Sequence, residues 1–253
     1  MQYKKVLITG ASSGIGRALA IEYARNGSDI AILARREERL RELQQEILAH
    51  GVQCCYFVCD VANLEDVRRT FTASIEELGG IDLAILNAGT GAPEGYGHYD
   101  TAKIKHVVDV NLFGIVHGID VLIPVMREQG GGTIAGVSSV VDVAGYPGST
   151  AYCTSKSAAT TFLQGVRAEL WSEGIRVLTV RPGWVKSELT ARNNFTMPGI
   201  WEADRAVRRI RKGIASGKQI VQFPWHTVFA SELVRFLPAR LYTWLAKRVR
   251  KRM

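Results

Sequence analysis

No uninterrupted apolar run in this chain reaches the roughly 18 residues that suggest a membrane span. The opening residues, Met-Gln-Tyr-Lys-Lys-Val-Leu-Ile-Thr-Gly, lack the apolar core of a secretory signal and enter a strand pattern at once. Both absences point to a cytoplasmic protein. Cysteine is scarce: Cys54, Cys55 and Cys59 cluster on or beside one strand, and Cys153 stands apart. Their spacing fits no zinc site, and His50 has no companion ligands, so they read as buried small hydrophobes and no metal is expected. Linkers, low-complexity segments and repeats are missing, so residues 1–253 form one expected domain, large enough to bury a core without staples. Acids are nearly missing from the C-terminal end. Residues 205–253 hold 13 Lys/Arg against Glu232 alone, whereas residues 1–204 hold 19 against 23 acids. A basic end on a mildly acidic body argues against a general nucleic-acid-binding domain.

What is present is an alternation. β-branched runs at 5–9, 29–34, 53–58, 82–87, 132–138, 175–181 and 219–222 are separated by helical patterns at 14–26, 37–49, 63–78, 101–128, 151–173 and 203–216. Asp-Ile-Ala-Ile-Leu-Ala and Asp-Leu-Ala-Ile-Leu-Asn are nearly all apolar inside, as strands covered on both faces are. The expected fold is α/β: one Rossmann-like, doubly wound parallel sheet of about seven strands with helices on both faces.

Between the first strand and the first helix runs Thr9-Gly10-Ala-Ser12-Ser13-Gly14-Ile15-Gly16. Glycines let backbone approach a pyrophosphate, and helix N-terminal N–H groups attract the anion. At the end of the second strand, Ala34-Arg35-Arg36 replaces the acid that would grip a ribose in NAD-binding sheets. Guanidinium pairs with phosphate in bidentate fashion, so NADP(H) is expected, with Arg35 ahead of Arg36 as the 2′-phosphate partner. The same arginines are compatible with a solvated helix start. Tyr152 and Lys156 stand four apart on one predicted helix and so share a face. An ammonium beside a phenol in a partly dry cleft favours the phenolate and lowers its pKa, which suits carbonyl/alcohol proton transfer.

Over about residues 4–222 the chain resembles the short-chain dehydrogenase/reductase family. Thr9–Gly16 is similar to its cofactor loop, Asn87-Ala88-Gly89 to the segment after its fourth strand, and Tyr152/Lys156 to its signature pair. Ser139 stands thirteen residues before Tyr152, as the family's catalytic serine does, and Asn111 occupies the place of its fourth catalytic residue. Pro182-Gly183-Trp184-Val185-Lys186-Ser187 matches a family segment with serine for threonine, and Asp60-Val61 matches its adenine-side contact. The resemblance implies that Tyr152 gives a proton to the developing alkoxide as hydride reaches the carbonyl carbon. Ser139 would bond the reacting oxygen, Lys156 hold the nicotinamide ribose and lower the tyrosine pKa, and Asn111 hold a relay water. Each has a plainer reading: Ser139 or its neighbour Ser138 ends a strand, Asn111 caps or interrupts a helix, Tyr152 is satisfied by backbone, and Asp60 makes a capping turn. An NADPH-binding redox sensor without turnover is the rival function.

The family commonly uses the segment at 183–202 as a substrate lid. Here it carries Trp184, Phe195, Met197, Pro198 and Trp201, which suit an apolar ketone, aldehyde or secondary alcohol, or else anchor the loop. The resemblance also implies a homodimer or homotetramer, through the helices at 101–128 and 151–173. Residues 223–253 are a basic amphipathic extension: Phe229, Leu233, Phe236 and Leu237, then Pro238, then Leu241, Trp244, Leu245 and Val249. With Arg240, Lys247, Arg248, Arg250, Lys251 and Arg252, it suits peripheral contact with an anionic membrane, or packing on its own domain or a partner subunit.

Overall fold

The structure, a computed structural model, describes residues 2–91, 99–192, 197 and 199–250. Phe195 and Pro198 of the long connection and Lys251 and Arg252 of the tail lie outside them, as do the side chains of Val249 and Arg250. Seven strands form one sheet: β1 (Lys5–Thr9), β2 (Asp29–Ala34), β3 (Cys54–Val58), β4 (Leu83–Leu86), β5 (Gly132–Val137), β6 (Ile175–Pro182) and β7 (Ile220–Phe223). Their order is β3-β2-β1-β4-β5-β6-β7, and every pairing is parallel, with Val6 opposite both Ile30 and Leu83. The helices between them are α1 (Gly14–Arg25), α2 (Glu37–Leu48), α3 (Leu64–Leu78), α4 (Thr101–Val108), α5 (Gly114–Glu128), α6 (Thr150–Glu169) and α7 (Ala203–Ala215).

Successive strand residues supply opposite faces. Val6 and Ile8 pack with Leu19 of α1, Leu43 of α2 and Ile210 of α7. Leu7, between them, packs with Phe71 of α3, Leu122 of α5 and Leu163 of α6. Each such fully buried side chain contributes roughly 1.5–3 kcal/mol relative to exposure, so both layers are needed. The strand order reverses between β1 and β4, and at such a switch point an open α/β sheet leaves a crevice beyond its strand ends.

Two expected helices differ in detail, and the two apolar stripes of the tail take shape as two helices. The helix over 101–128 is α4, then a π-helical turn at Asp109–Phe113, then α5. Such a turn inserts an extra residue. Here it carries Asn111, which is fully buried and bonded to the backbone of Thr90. The stretch Thr101–Glu128 is apolar and long enough to cross a membrane by composition, but Val107, Ile115, Ile119, Leu122 and Met126 spend that character on the core. The helix at 151–173 stops at Glu169, and the chain turns through Gly174 at φ +73°. The tail makes two helices, α8 (Trp225–Arg235) and α9 (Ala239–Arg250), separated around Pro238. All four cysteines are free; Cys55, Cys59 and Cys153 are buried, and Cys54 is half-buried. Burial pushes the Cys54 and Cys55 thiols up to about 12, so they behave as apolar filling.

Candidate active site

The glycine loop is built around close backbone approach. A Cβ on Gly10 would stand 2.7 Å from Ala88 Cα, and one on Gly16 would stand 2.3 Å from the Gly10 carbonyl oxygen. Gly10 and Gly14 also hold φ of +67° and +55°, which L side chains rarely adopt. The neighbouring strand end clamps this loop. Asn87 N and Ala88 N donate to Thr9 Oγ1 at 3.0 and 3.1 Å, and Asn87 Nδ2 donates to the Thr9 carbonyl at 3.0 Å. Ser13 precedes α1 without capping it, and the first turn holds no acid, while Ile15 packs against the core. The uncapped N–H groups and glycine cradle fit a dinucleotide pyrophosphate.

At the end of β2 the two arginines diverge. Arg36 donates from Nε and Nη2 to Ser12 Oγ at 3.2 and 3.0 Å, and its Nη1 lies 2.7 Å from Glu188 Oε2. Beside Arg36, and with a hydrogen bond from Ser13, the Glu188 carboxyl is held below the usual carboxylate range. Arg35 lies 3.9 Å from Asp60 Oδ2 and touches no loop residue through a described hydrogen bond. Asp60 Oδ1 accepts from Ala62 N at 3.1 Å, whereas Asn63 caps α3. Val61 is buried, and its carbonyl oxygen is 2.9 Å from His117 Nδ1.

Across the crevice, α6 carries Tyr152 and Lys156, and Ser139 follows β5. The two serines separate clearly. Ser138 Oγ donates to the Lys156 carbonyl at 2.9 Å, whereas Ser139 makes only long contacts, 3.4 Å each, with the Pro182 carbonyl and Val141 N, besides a hydrogen bond to Tyr152. Burial pushes the Tyr152 phenol up to about 12, with the Ser139 hydrogen bond pulling the other way. The expectation that Lys156 would lower it is therefore not met in this arrangement. Lys156 Nζ donates to the Val137 carbonyl at 2.9 Å, stands 5.8 Å from the phenol ring centroid, and is itself lowered to about 8 by burial. Asn111 Oδ1 accepts from Thr90 N at 2.7 Å, and Nδ2 donates to the Thr90 carbonyl and Ser155 Oγ at 2.9 Å each. Gly89 keeps this corner open: its Cβ would lie 3.3 Å from Asn111 Oδ1 and 3.5 Å from Lys156 Nζ.

The remaining segment closes the arrangement. Pro182 ends β6, Gly183 N donates to the Phe223 carbonyl at 2.7 Å, Val185 is buried, and Ser187 Cβ would be 3.0 Å from a Cβ on Gly14. Trp201 exchanges backbone hydrogen bonds with Trp184 and Lys186, stacks on Phe223 at 4.9 Å, and carries Arg205 on its ring at 4.0 Å. It anchors the connection. Leu189 instead approaches Gly91 on the side where Tyr152 does: a Cβ on Gly91 would lie 3.4 Å from Leu189 Cδ1 and 3.9 Å from Tyr152 Cδ2.

A family model described as short chain dehydrogenase matches residues 4–197. The chain belongs to the short-chain dehydrogenase family. Over 250 residues it is 36% identical to an uncharacterized oxidoreductase of Myxococcus xanthus, covering 99% of each. A short-chain dehydrogenase from Sphingobium yanoikuyae, solved in complex with NADPH, gives a TM-score of 0.81 at 27% identity over 97% of this chain and 93% of that one. A short chain dehydrogenase/reductase from Burkholderia phymatum, in complex with NAD, shares the fold at a TM-score of 0.85 and 22% identity, over 92% and 94% of the two chains.

Sequence reasoning missed a polar network behind the active-site wall of this short-chain dehydrogenase. Arg181 Nη2 and Nε pair with Asp142 Oδ1 and Oδ2 at 2.6 and 2.8 Å, their side chains 7% and 1% exposed. Thr160 Oγ1 lies 2.6 Å from Asp142 Oδ2 and 2.7 Å from Ser138 Oγ, and Ser157 donates to the Asp142 carbonyl. Arg181 Nη1 reaches Gln222 at 2.7 Å and Glu232 of α8 at 2.8 Å. Two signals were available: an arginine within the apolar Val-Leu-Thr-Val-Arg-Pro, and a lone acid in a basic tail.

Proposed function

We propose that this oxidoreductase is NADP(H)-dependent and interconverts an apolar ketone or aldehyde with its alcohol, Tyr152 serving as general acid or base. The reading rests above all on Ser139, Tyr152 and Lys156 meeting across the crevice from the glycine loop. Gly10, Ser12, Ser13, Gly14, Ile15 and Gly16 would hold the pyrophosphate, and Arg36 with Arg35 the 2′-phosphate. Asp60 and Val61 would border the adenine; Asn87, Ala88, Gly89, Pro182, Gly183, Val185 and Ser187 would line the rest of the cofactor. The NADPH complex of the Sphingobium relative supports this choice.

Bound NADPH supplies the hydride. The chain's own residues manage the oxygen and its proton. With its phenol pushed up to about 12, Tyr152 carries its proton at neutral pH, as an acid in the reductive direction must. Ser139 donates to the same oxygen as it gains charge, worth a few kcal/mol of barrier. Lys156 would orient the nicotinamide ribose, and Asn111 would hold a water through which the spent proton is replaced. Leu189 gives the mouth an apolar side, and residues 183–202 serve as the lid. A second copy of the chain would cover the outer faces of α5 and α6, where Phe113, Val116 and Phe162 line an open depression of about 740 Å³. Free cysteines suit a reducing cytoplasm.

Tyr152→Phe tests the reading. NADPH oxidation across a panel of lipophilic carbonyls should fall by about 10²–10⁴-fold in kcat, while NADPH affinity and Tm hold. Turnover near the parent rate would remove Tyr152 from the proton-transfer role.

A further inference from the structure

The tail exposes what the rest of the fold buries. Among the described residues, fourteen large apolar side chains are exposed, and seven of them fall between positions 225 and 245. On α8 and at its C-terminal cap these are Trp225, Phe229, Leu233 and Phe236, at helical spacing on one face, with Trp225 at 80% and Phe236 at 79% exposure. On α9 they are Leu241, Trp244 and Leu245, among exposed Arg240, Lys247 and Arg248, with Arg248 stacked on the Trp244 ring at 3.6 Å.

Neither helix hangs free of the domain. Glu232 ties α8 to Arg181, and Tyr242 Oη of α9 donates to the Gly145 carbonyl. A Cβ on Gly199 would lie 2.4 Å from the His226 ring. The tail is thus seated between the segment after Ser139 and the connection at 183–202, on the rim of the active-site crevice, with its apolar faces outward.

We propose that α8 and α9 dock this enzyme on an anionic lipid surface, bringing the crevice rim to the bilayer. Charge selects the occupant. From residue 224 onward the chain has seven Lys/Arg and one acid, and that acid already pairs with Arg181 and Arg235. A two-fold contact between two copies would set basic tail against basic tail. Acidic headgroups complement the same cations, and aromatic side chains at the boundary fill the acyl edge. The substrate half of this inference, a carbonyl compound taken from the bilayer, rests on the reductase reading. The docking half does not.

The test is flotation of the full chain with phosphatidylcholine vesicles, with and without one-third phosphatidylglycerol. Binding should require the anionic lipid and weaken with salt. Changing Arg240, Lys247 and Arg248 to Ser should lower partitioning by about a hundredfold. Trp225→Ser with Phe236→Ser should abolish flotation while leaving Tm and the mass by light scattering unchanged. Absence of flotation would overturn the proposal, as would equal binding to neutral vesicles. A fall in oligomer mass in the apolar variant would instead make the face a subunit interface. Because flotation needs no turnover, its failure leaves the reductase reading standing.

Discussion

The two walls of the crevice place their charges differently. On the glycine-loop wall, Arg35, Arg36 and Glu188 have side chains 59%, 45% and 50% exposed. On the wall of α6 and β6, Asp142 and Arg181 are nearly sealed, and Lys156 is 3% exposed. Exposed charges in high dielectric interact weakly and can be exchanged at small cost. Buried ones are held by partners whose loss strands a charge. On the proposed reading, the first wall is therefore where cofactor preference would be changed, and the second would fix the geometry of proton transfer.

Breaking that contrast starts with the sealed pair. Asp142→Ala leaves Arg181 facing Glu232 and Gln222 only, and Arg181→Ala leaves Asp142 buried against hydroxyls. Each should lower stability by about 3–5 kcal/mol in denaturant unfolding, with a matching fall in Tm. Replacing both, Asp142→Leu with Arg181→Met, should recover most of that loss, because a buried ion pair is stabilising mainly relative to its own half. If either single change costs under about 1 kcal/mol, the wall is not a fixed element. A recovered double variant with kcat still depressed would identify the pair as positioning the Ser139 segment.

The pH dependence of Lys156 sharpens the same point with a smaller effect. Burial takes its ammonium from the usual 10.5 down to about 8. Below pH 8 both folded and unfolded chains hold the proton, so the folded chain bears the whole desolvation cost. Between pH 8 and 10.5 the folded chain sheds the proton first and the cost is relieved, so this residue's contribution to stability improves as pH rises. Lys156→Met removes that contribution, although it also leaves the Val137 carbonyl without its donor. The stability gap between variant and parent should therefore shift in the parent's favour between pH 8 and 10.5. The raised thiols of Cys54, Cys55 and Cys59 are common to both proteins and cancel in the difference. A gap that stays flat across that window would mean Lys156 is better solvated than its surroundings imply.

How far the sequence reaches follows the same division. Strands β1 to β7 were legible because each is an apolar run between turn signals, and the glycine, Asn-Ala-Gly and Tyr/Lys motifs are local. The π-helical turn was not, since Val107, Val110 and Ile115 keep an apolar rhythm that hides one extra residue. The Asp142–Arg181 pair joins residues 39 apart, through a strand register that no local pattern records. Trp201 read as either lid or anchor. Its stack on Phe223 depends on where β7 ends, which is a tertiary fact. The arginines at 35 and 36 were correctly located at the end of β2, but their divergence toward Asp60 and Ser12 depends on side-chain partners.

The smallest effect belongs to the exposed wall. Glu188 reaches from the connection at 183–202 to Arg36, one of the two arginines proposed for the 2′-phosphate, and takes a hydrogen bond from Ser13, which precedes α1. Its carboxylate thus competes for the two kinds of group that an incoming phosphate needs, a guanidinium and a donor at a helix N-terminus. Glu188→Gln keeps the shape and removes the charge. NADPH should then bind about two- to fivefold more tightly, the range expected for freeing one exposed ion pair. NADH, with no 2′-phosphate, should gain little, so the ratio of the two dissociation constants reads the competition directly. Arg36→Ala should move that ratio the opposite way. Equal changes for both cofactors would assign Glu188 to the pyrophosphate end, and no change in either would show that its pairing with Arg36 yields without cost.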